Sequence, residues 1–165
     1  MSRSYAILVS LGICAIGAIL EGVAAGKNVR PVFAKLRFPP YSPPLSVWYV
    51  VGIFYYATYF SLLYQILRHD GDVGFRYVSV TLILIILAAN AFWNYLVFRA
   101  QNLFHSFLLG ALYSLIAIGL FVCLIQFDRV ASYFLLPYLL YLIYASWWSY
   151  GLLKLNGPDA SKAIR

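Results

Sequence analysis

Residues 38–56 read FPPYSPPLSVWYVVGIFYY: two Pro-Pro pairs, then at once a run of apolar and aromatic residues. Proline fixes φ and has no backbone donor, so Pro43-Pro44 can open a helix but cannot sit inside one. The stretch is therefore a boundary. Ahead of it lie one apolar segment and a basic loop; behind it lie four more apolar segments.

The rest of the composition agrees with that division. Of the 165 residues, 64% are hydrophobic and 10% charged, against roughly 45–50% and about 25% in a soluble domain. An ordinary soluble domain is excluded. The expected fold class is all-α, an integral membrane bundle of five transmembrane helices in a single domain, 1–165. The spans are expected at about 5–25, 45–67, 77–98, 103–127 and 130–153, each near the roughly 20 residues that cross the hydrocarbon core. Apolar segments continue to the end of the chain, so no cleaved leader is expected.

The net charge of +7 raises the question of nucleic acid. The basic residues, however, fall between apolar runs instead of along one polar face, which is how membrane topology is encoded. Five spans put Arg3, Arg68, Arg76 and Arg129 on one side. Lys27, Arg30, Lys35, Arg37, Arg99, Lys154, Lys162 and Arg165 fall on the other. The positive-inside rule then places the loop 26–44 and the C-terminus in the cytoplasm. Nucleic acid is not expected as a partner. Cys14 and Cys123 lie inside apolar runs without a CxxC, and are read as small hydrophobes.

The polar residues inside the spans narrow the chemistry. Gly12, Ala15, Gly17, Ala18 and Gly22 give segment one a small-residue surface for close helix approach. Glu21 is its single charge, about a turn from the helix end. It is read as an interfacial carboxylate or one paired with Lys27 or Arg30, and alternatively as a functional acid. VFAKLRF in the first loop is amphipathic, fit to lie on the bilayer or to cover the bundle mouth. Tyr55, Tyr56 and Tyr59 fall near mid-span, where their hydroxyls need partners; they either bond across helices or line a partly polar cavity. Ile83, Ile86, Asn90, Trp93 and Val97 share one helical stripe. Asn90 there is helix glue or a directed hydrogen bond to a ligand. Phe134, Tyr138, Tyr141, Ala145, Trp148 and Leu152 form another, either bundle packing or the seat of a flat ligand. His69 is read as part of a solvated loop and His105 as a headgroup-level residue.

No paired intramembrane carboxylate, HExxH or phosphate-cradling glycine loop is present. No metal site is expected, and no catalytic residue is assigned. A binding cavity for something apolar, flat or both remains.

The order of motifs resembles the translocator protein family (TspO/MBR), also called tryptophan-rich sensory proteins or the peripheral benzodiazepine receptor family. Pro39-Pro40-Tyr41-Ser42-Pro43-Pro44 resembles its Pro-x-Trp-x-Pro-Pro loop. Asn90-Ala91-Phe92-Trp93 with Phe98 resembles its third-helix pattern. Leu136-Pro137-Tyr138-Leu139-Leu140, followed by Ala145 and Leu155-Asn156, resembles its fifth helix. The resemblance implies a five-helix bundle, often a homodimer, with a cavity beneath the first loop that takes porphyrins and other tetrapyrroles, sterols such as cholesterol, or benzodiazepine-type compounds. It implies ligand contacts from Tyr56, Asn90, Trp93, Tyr138, Tyr141 and Ala145, and a lid hinged at Pro39, Pro43 and Pro44; Trp148, a position where the family does not usually carry Trp, joins the expected ligand contacts as a member of the segment-five stripe. No cofactor is required; a porphyrin or haem-type tetrapyrrole enters as ligand. The chain departs from the family at Val32-Phe33, Gly52, Tyr141 and Ser149, where relatives carry Trp-Tyr, Trp, Trp and Asn. It also lacks the Leu or Val that would complete a sterol motif with Tyr150 and Lys154.

The function expected is thus a non-enzymatic membrane receptor or carrier for a planar apolar ligand. The alternatives are an integral membrane enzyme on a sterol or isoprenoid with Glu21 as acid, and a structural or assembly subunit.

Overall fold

The computed structural model describes residues 2–69 and 71–157. Lys162 and Arg165, used in the charge count above, lie outside them. Among the described residues the chain is all helical: α1 (Arg3–Ala25), α2 (Val29–Lys35), α3 (Leu45–Arg68), α4 (Val73–Phe98), α5 (Leu103–Phe127) and α6 (Arg129–Asn156). All but α2 are long and apolar enough to cross a membrane, and the protein is a multi-pass membrane protein.

The five long helices close into a ring. α1 packs on α4, α4 on α5, α5 on α6, α6 on α3 and α3 back on α1, with a further contact of α3 across to α4. Short connections enforce the antiparallel pairs α4/α5 and α5/α6. Asn102 starts α5 by accepting from the backbone N–H of His105 at 3.1 Å. Asp128 alone joins α5 to α6; its carboxylate accepts from the N–H groups of Val130 and Ala131 at 2.9 and 3.1 Å, as an N-cap should. The same carboxylate lies 3.3 Å from His69 Nδ1, and the His69 ring packs on Phe127. His69 is therefore not a solvated loop residue. It ties the end of α3 to the α5–α6 turn, a partner 59 positions away that spacing along the chain could not reveal.

The core runs along the shared axis: Tyr59, Leu62, Leu63 and Ile66 of α3, Ile83 and Ile86 of α4, Leu120 and Leu124 of α5, and Leu135 of α6 are fully buried. The outward faces carry Leu8, Ile16, Ile53, Leu115, Leu140 and Ile143 exposed to the surroundings, as a lipid-facing bundle requires. The α4 stripe holds, with Ile83, Ile86 and Val97 buried. The α6 stripe needs correction at one end: Phe134 is exposed, because the core face there follows Ala131, Leu135 and Tyr138, about 100° around the helix from position 134. The small-residue surface of α1 is also used less than expected. Only Gly17 makes a close approach, where an added Cβ would stand 3.4 Å from Tyr56 and 3.6 Å from Leu87; at Gly12 and Gly22 it would meet nothing within 4 Å.

The first loop is strapped to α6. Asn156 accepts from the backbone N–H of Arg37 and donates to the carbonyl of Arg37, both at 2.8 Å. Trp148 Nε1 donates to Ser42 Oγ at 2.9 Å, and the Tyr144 hydroxyl donates to the carbonyl of Tyr41 at 3.1 Å. Tyr41 itself sits at φ +60°, a left-handed turn between the proline pairs, and the Ser42 hydroxyl donates to the carbonyl of Pro39 at 2.7 Å. Pro39 is buried and fits into the space over Gly151, where a Cβ would fall 2.8 Å from the proline ring. Within the loop, α2 buries Val32 and packs Phe33 on Phe38 at 4.5 Å between ring centroids. The amphipathic patch thus covers the bundle mouth.

Replacing Gly151 with leucine should lift the loop off α6. The clash with Pro39 costs about 1–3 kcal/mol, so tryptic cleavage after Lys35 and Arg37 in detergent should accelerate by about an order of magnitude. Unchanged cleavage would mean that this contact does not hold the loop.

Candidate functional site

Between α1, α3, α4 and α6, under the strapped loop, lies a cavity of about 630 Å³, within the range of small-molecule sites. Three kinds of residue make its wall. Small residues, Ala18, Gly22, Ala25 and Gly52, leave room; rings, among them Trp48, Tyr56, Trp93 and Tyr141, line it; Glu21, Asn90 and Asn94 supply its polar end. A second cavity of about 170 Å³ lies against α5 and shares Trp48, Asn90, Trp93, Tyr113, Tyr141 and Trp148 with the first.

Glu21 organises the polar end. Its Oε2 accepts from the Tyr56 hydroxyl at 2.7 Å and from Asn90 Nδ2 at 2.9 Å. Its Oε1 accepts from Asn94 Nδ2 at 3.2 Å, and that amide also donates to the Asn90 carbonyl at 3.1 Å. A carboxylate inside an apolar bundle is costly unless hydrogen-bonded, and here three donors from two other helices converge on it. Among the described residues no Lys, Arg or His lies in salt-bridge range of Glu21. The expectation of an interfacial or Lys27/Arg30-paired carboxylate is overturned. One helical turn from the end of α1, the side chain turns inward to α3 and α4 and not outward to the loop.

Of the three mid-span tyrosines, Tyr56 fills both expected roles, Tyr55 lines the cavity without bonding across helices, and Tyr59 does neither. Tyr56 both bonds across to α1 and lines the larger cavity. Tyr55, Tyr59 and Tyr138 pack as a trio, with centroids 4.8, 5.4 and 5.6 Å apart, and their hydroxyls are buried without a hydrogen-bond partner. Aromatic contacts roof the cavity: Phe38 stacks on Trp148 at 6.2 Å, and Trp148 meets Trp48 at 4.5 Å.

Of the residues assigned to the ligand, Tyr56, Asn90, Trp93, Tyr138, Tyr141 and Trp148 line the larger cavity. Ala145 does not; it lines the smaller one beside Trp93 and Tyr141. Pro39, Pro43 and Pro44 line neither cavity: Pro39 anchors the loop on α6, and Pro44 caps α3. Sequence reasoning missed Trp48 and Asn94. Trp48 lies close to the proline boundary and reads as an interfacial anchor. Asn94 follows Asn90 by four, one turn along the same face, and that spacing was the available signal. Gly52, noted as a missing ring, leaves open space; a Cβ there would meet nothing within 4 Å.

No group of three or more His, Cys, Asp or Glu that could hold a metal occurs among the described residues. The site offers volume, aromatic faces and an acceptor-bearing polar wall.

A model of the TspO/MBR family matches residues 10–155. No curated protein matches the chain. The matched span takes in α3, α4 and α5 whole, most of α1, nearly all of α6 and every lining residue of both cavities, and the chain belongs to the TspO/MBR family.

Proposed function

We propose that this protein is a membrane receptor or carrier that binds a planar, largely apolar molecule of the porphyrin or sterol class in the cavity between α1, α3, α4 and α6. The observation that carries the reading is the cavity itself: about 630 Å³, walled by aromatic rings and closed at one end by hydrogen-bonded polar groups. Flat ligands gain about 0.5–1.5 kcal/mol for each well-placed aromatic partner beyond the burial of their area. The strapped loop is the lid in this reading, and it faces the cytoplasm by the charge count. A homodimer is compatible with the exposed apolar faces, which otherwise meet lipid. The enzyme alternative, with Glu21 as proton donor, is less well supported, because all three of its contacts donate to it.

Protoporphyrin titrated into the detergent-solubilised protein should quench tryptophan fluorescence saturably, since Trp48, Trp93 and Trp148 line the cavity. Ala145→Phe should fill the smaller cavity and crowd the shared wall, removing the saturable quench while circular dichroism stays that of a folded helical protein. An unchanged quench would remove Ala145 from the site. Gly52→Trp should keep saturable binding and tighten it with little loss of stability, because the ring enters open space on the wall of the larger cavity and adds an aromatic partner for a flat ligand; an affinity unchanged by it would place the ligand outside the larger cavity.

A further inference from the structure

The larger cavity has an electrostatic asymmetry that shape alone does not supply. Glu21 is the single glutamate of the chain, and among the described residues lining the cavity none is Lys, Arg, His or Asp. Arg99 packs against Gly26 at the rim and over the Tyr95 ring. It is not within ion-pair range of Glu21. The carboxylate is therefore satisfied by neutral donors only. Two of these sit on Oε2 and one on Oε1, so of its roughly four acceptor positions one on Oε1 receives no donor from the described residues. The same cavity is lined by Tyr56, Trp93 and Tyr141, rings of a kind whose faces attract cations.

We propose that this cavity selects a ligand bearing a basic nitrogen, an amine or amidine on a flat apolar body, whose N–H group fills the free position on Glu21 Oε1. The inference rests on the binding reading above and specifies the chemistry of the ligand's polar end. Whichever partner carries the proton before docking, the docked contact is an N–H···O ion pair, and charge-assisted bonds of this kind are roughly twice as strong as neutral ones. The same carboxylate repels acidic substituents. A ligand with carboxylate arms would have to keep them away from Glu21.

The test compares 9-aminoacridine, a planar cation at neutral pH, with acridine, its neutral analogue, by tryptophan quenching of the full-length protein in one non-ionic detergent. The cation should bind about tenfold more tightly than acridine, and Glu21→Gln should bring the two within about twofold of each other. Equal affinity of the wild-type protein for both probes overturns the proposal, as does a cation preference that persists in Glu21→Gln. If Glu21→Gln does not fold, the wild-type comparison decides alone. Saturable protoporphyrin binding without cation preference sinks this inference and leaves the binding reading standing. Absence of saturable binding by all three compounds sinks both.

Discussion

A single carboxylate carried into an apolar bundle sets the constraint on which the rest of the site depends. Glu21 would be costly to bury in hydrocarbon unless its oxygens were satisfied, and its donors come from α3 (Tyr56) and α4 (Asn90 and Asn94). Those bonds fix the register of α1 against two helices far away in sequence. Gly17, one turn earlier on α1, permits the approach by leaving space for Tyr56 and Leu87. Close contact and hydrogen bonding thus work at adjacent turns of one interface. The polar end of the cavity is the by-product of holding α1 in place.

The dimensions of the cavity follow from small residues facing large ones. Ala18, Gly22 and Gly52 withdraw from the space that Trp93, Tyr141 and Trp48 bound. Its mouth is covered by a loop held through backbone groups: Asn156 bonds the backbone N–H and carbonyl of Arg37, and Pro39 fits over Gly151. The cover is ordered by contacts to α6 and, through α2, to α4, and not by a hydrophobic core of its own.

Much of this was legible in the sequence, and the limits have physical causes. Span number and helical class follow from composition and apolar run length, which act locally. The α4 stripe through Ile83, Asn90 and Trp93 was readable because one helix sets its own period. What failed required pairing between helices. Glu21 looked interfacial since its distance from the helix end was visible and its partners, 35, 69 and 73 residues on, were not. His69 looked solvated for the same reason, its partner Asp128 arriving only when the ring closes. Ala145 was grouped with Tyr138 by helical spacing, and spacing cannot say that a shared wall divides the volume in two.

Because Glu21 is the chain's one glutamate, carbon-13 labelling of the glutamate carboxyl gives a single resonance that reports the polar end of the cavity without any mutation. Titrating the labelled protein with 9-aminoacridine should move that resonance saturably, in step with tryptophan quenching and reaching its limit at one ligand per chain. A resonance that stays fixed while the tryptophans are quenched would show that ligands bind without touching Glu21, and would contradict the account.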